Sequence, residues 1–227
     1  MKENVVLREA ANGTPPSGSL VLQVAKKVEG MIVGDELLAG SKLNENSLSQ
    51  RLEVSRSTLR EAIRQLEKTG LVKIIPNRGV FVREVSLREA LNLFDIRAGL
   101  ARVAGRLAAA RASCDQVGQL SQLHKEMVNS WKTGSLEPYY LLNQKFHELI
   151  MELTGNGRLA ELDVIMSNEL HLFRRKNLGN LAQLEISIHE HERILEGISS
   201  HDEGKAGLAF ERHINAAKQR MLDSLTI

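Results

Sequence analysis

Two short segments carry all the strand signal in this 227-residue chain. LVKII (71–75) and VFVREV (80–85) are rich in β-branched residues, and PNRG (76–79) between them supplies a turn. They predict one β-hairpin. The segment just ahead of it is helical. In VSRSTLREAIRQL (54–66), Leu59, Ile63 and Leu66 recur on one face, Ser55 is placed to cap the start, and Gly70 to end the helix. Before that, Asn44 is a good N-cap for a short helix running to about Leu52, with Leu48 and Leu52 four residues apart. The linker between the two helices is only a few residues around Glu53 and Val54. With a further helical pattern over 20–33, the order is helix, helix, tight turn, helix, hairpin. That order predicts a winged helix-turn-helix.

Everything after Ser86 reads as helix. The predicted helices run from about Leu87 to Ala112, Asp115 to near Gly134, Glu137 to near Gly155, Asn156 to about Lys176, Leu181 to Ser200, and Asp202 to near Leu225. NLGN (177–180) breaks the pattern. The expected fold class is therefore mostly α: a winged helix-turn-helix of three helices plus a hairpin wing, followed by an all-α six-helix bundle. The expected organisation is a flexible arm over 1–18, a winged helix-turn-helix over 19–83, and a second domain over 84–227. The arm is inferred from Asn12, Gly13, Pro15, Pro16 and Gly18.

Charge supports a division of labour. The whole chain carries only +2, but residues 1–83 carry +4 and the remainder −2. The smaller, basic part is the one suited to phosphates. All seven histidines lie at or after His124. The N-terminus has no apolar stretch of signal-peptide type, and no run is long and apolar enough to span a membrane. Cys114 is the single cysteine, so no intrachain disulfide can form, and a reducing cytoplasm is the expected location.

With Leu59, Ile63 and Leu66 inward, Arg56, Ser57, Thr58 and Arg60 point outward from the first turns of their helix. A recognition helix makes its base and phosphate contacts there. The helix N-terminus adds partial positive charge. Arg78 at the hairpin tip is placed to reach a groove or a phosphate. Charge alone leaves these arginines equally readable as a solvated helix face; the cap, the tight turn and the hairpin favour the DNA reading.

In the second half, Asn143 and His147 are four residues apart on one predicted helix and so share a face. His191 and His213 lie on the next-to-last and last helices. A helical bundle can converge such side chains, and three imidazoles plus an amide oxygen suit Zn²⁺ or a similar ion. Spacing alone does not separate this from scattered core or surface histidines.

GSKLNENSLSQRLEVSRSTLREAIRQLEKTGLVKIIPNRGVFV resembles the DNA-binding domain of GntR-type regulators. The resemblance is carried by G-x-x-L-x-E, V-S-R-x-x-[LV]-R-E-A-[IL]-x-x-L, E-x-x-G-L-V and P-N-R-G-x-x-V. It implies operator contacts from Arg56 and Arg60 and from the wing tip Asn77, Arg78 and Gly79. Asn46 stands where relatives often carry Arg, a change in one base contact. LLNQKFHELI, TGN, EHERIL and ERHI resemble the effector (FCD) domain of the FadR branch, in the shorter VanR-like subgroup. That likeness implies a divalent metal, zinc first and nickel or manganese as alternatives, held by Asn143, His147, His191 and His213. Many relatives have Asp in the place of Asn143. It also implies a small organic acid as effector, met by Arg97, and a homodimer on double-stranded operator DNA without a membrane partner. Arg174 or Arg175 on the fourth predicted helix is a weaker candidate for the acid, and His171, which has no counterpart in the family, reads more readily as a satisfied or exposed histidine than as one lining the pocket. Two other functions stand beside a ligand-responsive repressor: a regulator for which the metal ion itself is the signal, and a metal-dependent enzyme fused to a DNA-binding domain. The enzyme reading lacks a general base, because Glu148 and Glu190 are rotated off the ligand face.

Overall fold

The computed structural model describes residues 17–174 and 181–225. Contacts divide the chain into two units. One runs to Lys68 and takes in Val72–Val82; the other holds Thr69–Leu71 and the chain from Arg83 onward.

The first unit is built from α1 (Ser17–Val33), α2 (Glu45–Arg51), α3 (Arg56–Lys68), β1 (Val72–Ile75) and β2 (Gly79–Val82). Helix α1 takes in Ser17 and Gly18, which the sequence assigns to the arm; the rest of that arm lies outside the described residues. Apolar residues at helical spacing turn Val24, Val28 and Ile32 of α1 onto Leu59, Ile63 and Leu66 of α3, and all six are almost fully buried. Burying each contributes about 1.5–3 kcal/mol. Asn44 caps α2 as expected, its Oδ1 accepting from the backbone N–H of Asn46 and Ser47 at 3.1 and 3.0 Å. Glu53 takes a left-handed φ of 54° in the turn between α2 and α3. The strands pair antiparallel with Ile75 opposite Gly79. Asn77 supplies the positive φ (59°) that so tight a hairpin requires. An isolated bridge from Lys42 to Phe81 adds a third edge to the hairpin.

The second unit contains α4 (Leu87–Arg111), α5 (Cys114–Lys132), α6 (Leu136–Leu153), α7 (Gly157–Arg174), α8 (Leu181–Ser199) and α9 (Glu203–Leu225). Among the described residues these are its only helices, and it has no strand. Capping boxes fix the starts of α4 (Ser86 with Glu89) and α5 (Ser113 with Gln116). Apart from Phe94 and Arg97, the inner face of α4 is made of small residues, Ala90, Ala98, Ala101, Ala104, Gly105 and Ala108 among them. That allows α9 to approach closely. A Cβ on Gly105 would sit 2.6 Å from the Ala206 carbonyl oxygen, and one on Gly197 of α8 2.5 Å from the Ala206 nitrogen. The backbones of α4, α8 and α9 thus meet around Ala206. This tight junction holds α8 and α9 in register, so that His191 and His213 face α6 across the core.

Candidate functional site

On the first unit, Arg56, Ser57 and Arg60 are exposed at the start of α3, and Thr58 is half-buried. Ser55 organises the turn. Its Oγ accepts from the Thr58 backbone at 3.1 Å and lies 2.8 Å from the hydroxyls of Ser57 and Thr58. Asn46 is exposed at the start of α2, and Asn77 and Arg78 are exposed at the hairpin tip, whose turn closes through Arg78 N–H to Ile75 O at 3.0 Å. Gly79 is half-buried with φ 105°, and a Cβ there would meet the Lys42 side chain at 3.0 Å. The sequence reading missed Glu45. Its carboxylate accepts from Arg60 Nε at 3.1 Å and so aims the guanidinium. Arg60 is two-thirds exposed in this pair. Such a pair is worth less than about 1 kcal/mol, weak enough for a phosphate or base edge to replace it.

On the second unit, three helices bring His147, His191 and His213 together. All three are buried. Nε2 of His147 lies 3.3 Å from Nε2 of His191 and 3.2 Å from Nε2 of His213. Four ligands around zinc at about 2.0–2.1 Å have edges of about 3.3–3.4 Å, so these separations fit a shared tetrahedral ion. Hydrogen bonding suits the cluster less well. His147 Nε2 carries at most one proton, which cannot be donated to both neighbours, whereas a cation engages all three lone pairs together. Phe146 and Phe210 pack against the rings with centroids 4.9 Å from His191 and 5.3 Å from His147, and keep the site apolar.

The tautomer of one of these histidines is fixed by its partners. His213 Nδ1 lies 2.7 Å from Oε2 of Glu190, which in turn accepts from both Nη atoms of Arg220 at 2.7 and 2.9 Å. Burial raises the Glu190 pKa, but the bonds from His213 and Arg220 outweigh it and hold the carboxyl below its usual range. An ionised carboxylate only accepts, so Nδ1 of His213 carries the proton and Nε2 presents its lone pair to the cluster. Glu190 does point off the ligand face of α8, as its spacing from His191 requires. It crosses to α9 instead, where it positions the His213 ring, a role its sequence position did not reveal. Burial, foremost, pushes the pKa of His191 far down and that of His213 down, which keeps both rings neutral and able to ligate. Burial also pushes the Tyr139 phenol up to about 12, so it remains protonated near Ser187.

The remaining candidates divide. Asn143 is half-buried on α6, one turn before His147. Arg97 is buried as expected, and it is paired with Asp163 of α7 through Nε at 2.7 Å, with Ser167 also bonded to that carboxylate. His171 is exposed on α7, because its neighbours Leu170 and Leu172 take the buried positions. The side chain of Arg174 lies outside the described residues. His124 bonds the Ile188 carbonyl at 3.2 Å, and His201 bonds that of Ala109 at 2.8 Å at the α8–α9 corner.

Comparison with known proteins agrees with both halves. Residues 20–82 match the model for bacterial regulatory proteins of the gntR family, and residues 92–216 match the FCD domain. The chain is 28% identical over 195 residues to the HTH-type transcriptional regulator YdhC of Bacillus subtilis, covering 86% of this chain and 87% of YdhC. It is 24% identical to the HTH-type transcriptional repressor RspR of Escherichia coli, covering 89% and 88%. In fold it is similar to E. coli McbR/YncC (TM-score 0.75, 21% identity, 91% of this chain and 98% of the other) and to a GntR transcriptional regulator of Rhodococcus sp. RHA1 (0.72, 22%, 90% and 98%). These families and relatives are transcriptional regulators, not enzymes. Among the described residues no helix is long and apolar enough to cross a membrane. The chain belongs to the GntR family of transcriptional regulators, with an N-terminal GntR helix-turn-helix domain and a C-terminal FCD domain.

Proposed function

We propose that this regulator is a ligand-responsive repressor of the FadR branch and its VanR-like subgroup, acting in the cytoplasm as a homodimer on palindromic operator DNA. Arg56, Ser57, Thr58 and Arg60 read the major groove, helped by Asn46, while Asn77, Arg78 and Gly79 of the wing meet the backbone or minor groove. One recognition helix reads a half-site of a few base pairs, which favours a two-fold dimer. Exposed Ile96 and Val103, seven residues apart on α4, supply an apolar face for it. The FCD domain binds a small organic acid through a divalent ion, zinc first, held by His147, His191, His213 and Asn143. The ion supplies a Lewis-acidic position for a carboxylate, and Arg97 is the basic candidate that the family resemblance offers for pairing with the acid. The acid alters operator binding only through different affinities for the two arrangements of the dimer.

The observation that carries this reading is the convergence of three buried imidazoles, with Nε2 of His147 at 3.2–3.3 Å from Nε2 of both His191 and His213. The test takes a duplex selected from a random library by the purified protein, then measures its release in a gel shift against a panel of carboxylic acids, with and without EDTA. Acid-dependent release that EDTA abolishes supports the proposal; a complex indifferent to every acid defeats the sensing role. The same three nitrogens also support the ion itself as signal. Release by Zn²⁺ or Ni²⁺ without any acid would establish that reading instead.

A further inference from the structure

The charges around the three histidines are already paired. Glu190 is held by both Nη atoms of Arg220 at 2.7 and 2.9 Å. Arg97 is held by Asp163 at 2.7 Å. Each pair sums to zero. Among the described residues no carboxylate oxygen joins the three ring nitrogens: the grouped donors are His147, His191 and His213 alone. On α6 the residue one turn before His147, on the same helix face, is Asn143, a neutral amide. A dication bound here would therefore bring two positive charges into a buried, phenylalanine-lined site with no anion to offset them. An uncompensated buried charge is strongly unfavourable.

From this charge inventory we infer that the ion and a carboxylate anion occupy the site as a pair, each binding weakly without the other. The inference rests on the metal reading above and adds a rule of regulation to it. The acid would be more than an occupant of an existing metal site; it would be the missing anionic ligand. Because binding couplings are reciprocal, the acid tightens the metal by the factor by which the metal tightens the acid. Neither signal alone would then load the domain, and the regulator would respond to the coincidence of the two. The inventory also specifies the acid's charge. A monocarboxylate leaves one positive charge unmatched, so a dicarboxylate is the better partner. The neutral amide of Asn143 is what creates the dependence: an aspartate there would bring its own negative charge and partly relieve the need for an external anion.

The experiment compares the full-length wild type with Asn143→Asp. Zn²⁺ affinity is measured by chelator competition in chloride buffer, alone and with acetate or succinate, correcting for Zn²⁺ bound by free acid. Co²⁺ absorption reports the ligand set, and circular dichroism checks folding. For the wild type, Zn²⁺ affinity should rise about 10- to 100-fold with acid, more with succinate than with acetate, and the Co²⁺ spectrum should change on addition. Asn143→Asp should bind Zn²⁺ about 10-fold more tightly than the wild type without acid, and gain less from acid. A wild type that binds Zn²⁺ equally, within two-fold, under all three conditions overturns the pairing. So does an Asn143→Asp variant that takes Zn²⁺ while no acid helps the wild type. If neither protein takes Zn²⁺ under any condition, the metal reading itself falls.

Discussion

Nδ1 of His213 on α9 donates to Oε2 of Glu190 on α8 across 2.7 Å, and this bond decides which ring nitrogen faces the other two histidines. A partner that orients a ligand ring typically accounts for 10- to 100-fold in metal affinity. Glu190→Ala should therefore weaken Zn²⁺ binding by about that factor, with Glu190→Gln, which still offers an accepting oxygen, in between. Nitrogen chemical shifts should report His213 protonated at Nδ1 in the metal-free wild type and a mixed tautomer in Glu190→Ala. An unchanged tautomer would show that Glu190 does not set it.

Acid should destabilise the metal-free protein by way of the same cluster. Burial, foremost, holds His191 and His213 neutral in the folded state, whereas in the unfolded chain they protonate near pH 6.5. Below about 6.5 the unfolded state takes up protons that the folded state refuses, so the stability present above that value is lost as pH falls toward the folded pKa values. Thermal unfolding in EDTA between about pH 8 and 5.5 should show a midpoint that falls below pH 6.5, with a shallower fall in His191→Leu. A midpoint that held steady would mean the rings are charged in the native state.

The junction at Ala206 predicts opposite outcomes for the same substitution at different glycines. Gly105→Ala and Gly197→Ala place a methyl group 2.5–2.6 Å from the Ala206 backbone and should cost about 1–3 kcal/mol or more. Gly118, within α5, is exposed with nothing within 4 Å of a Cβ. Gly118→Ala should instead stabilise by up to about 1 kcal/mol through helix propensity. Denaturant unfolding of the three variants checks both signs.

On the DNA side, Arg56→Ala and Arg60→Ala should each weaken binding to a selected duplex by about 1–3 kcal/mol if they bond base edges, with relaxed preference at one base pair. If they bond phosphates, the loss should be uniform across sequences and the salt slope should fall by about 1. Asn44→Ala should cost about 1 kcal/mol of stability by removing the α2 cap. Fluorescence anisotropy across a set of point-substituted duplexes distinguishes the two contact modes.

Much of this molecule was legible in the chain because the signals were local. Hydrophobic spacing marked α1, α3 and the six later helices; Asn44 and Ser55 marked caps; Pro76, Asn77 and Gly79 marked the hairpin turn. Asn143 and His147 share a helix face by arithmetic alone. What required the tertiary structure was every relationship across helices. The ring nitrogens of His147, His191 and His213 come from three different helices, α6, α8 and α9; close contacts such as those of Gly105 and Gly197 with Ala206 set how nearly α4, α8 and α9 approach, and no spacing within one helix encodes such distances. The roles of Glu190, Arg220 and Asp163 were invisible for the same reason, since each acts on a side chain from another helix. His171 shows the converse: a histidine near the right place in the chain is turned outward, because Leu170 and Leu172 have the stronger claim on the core.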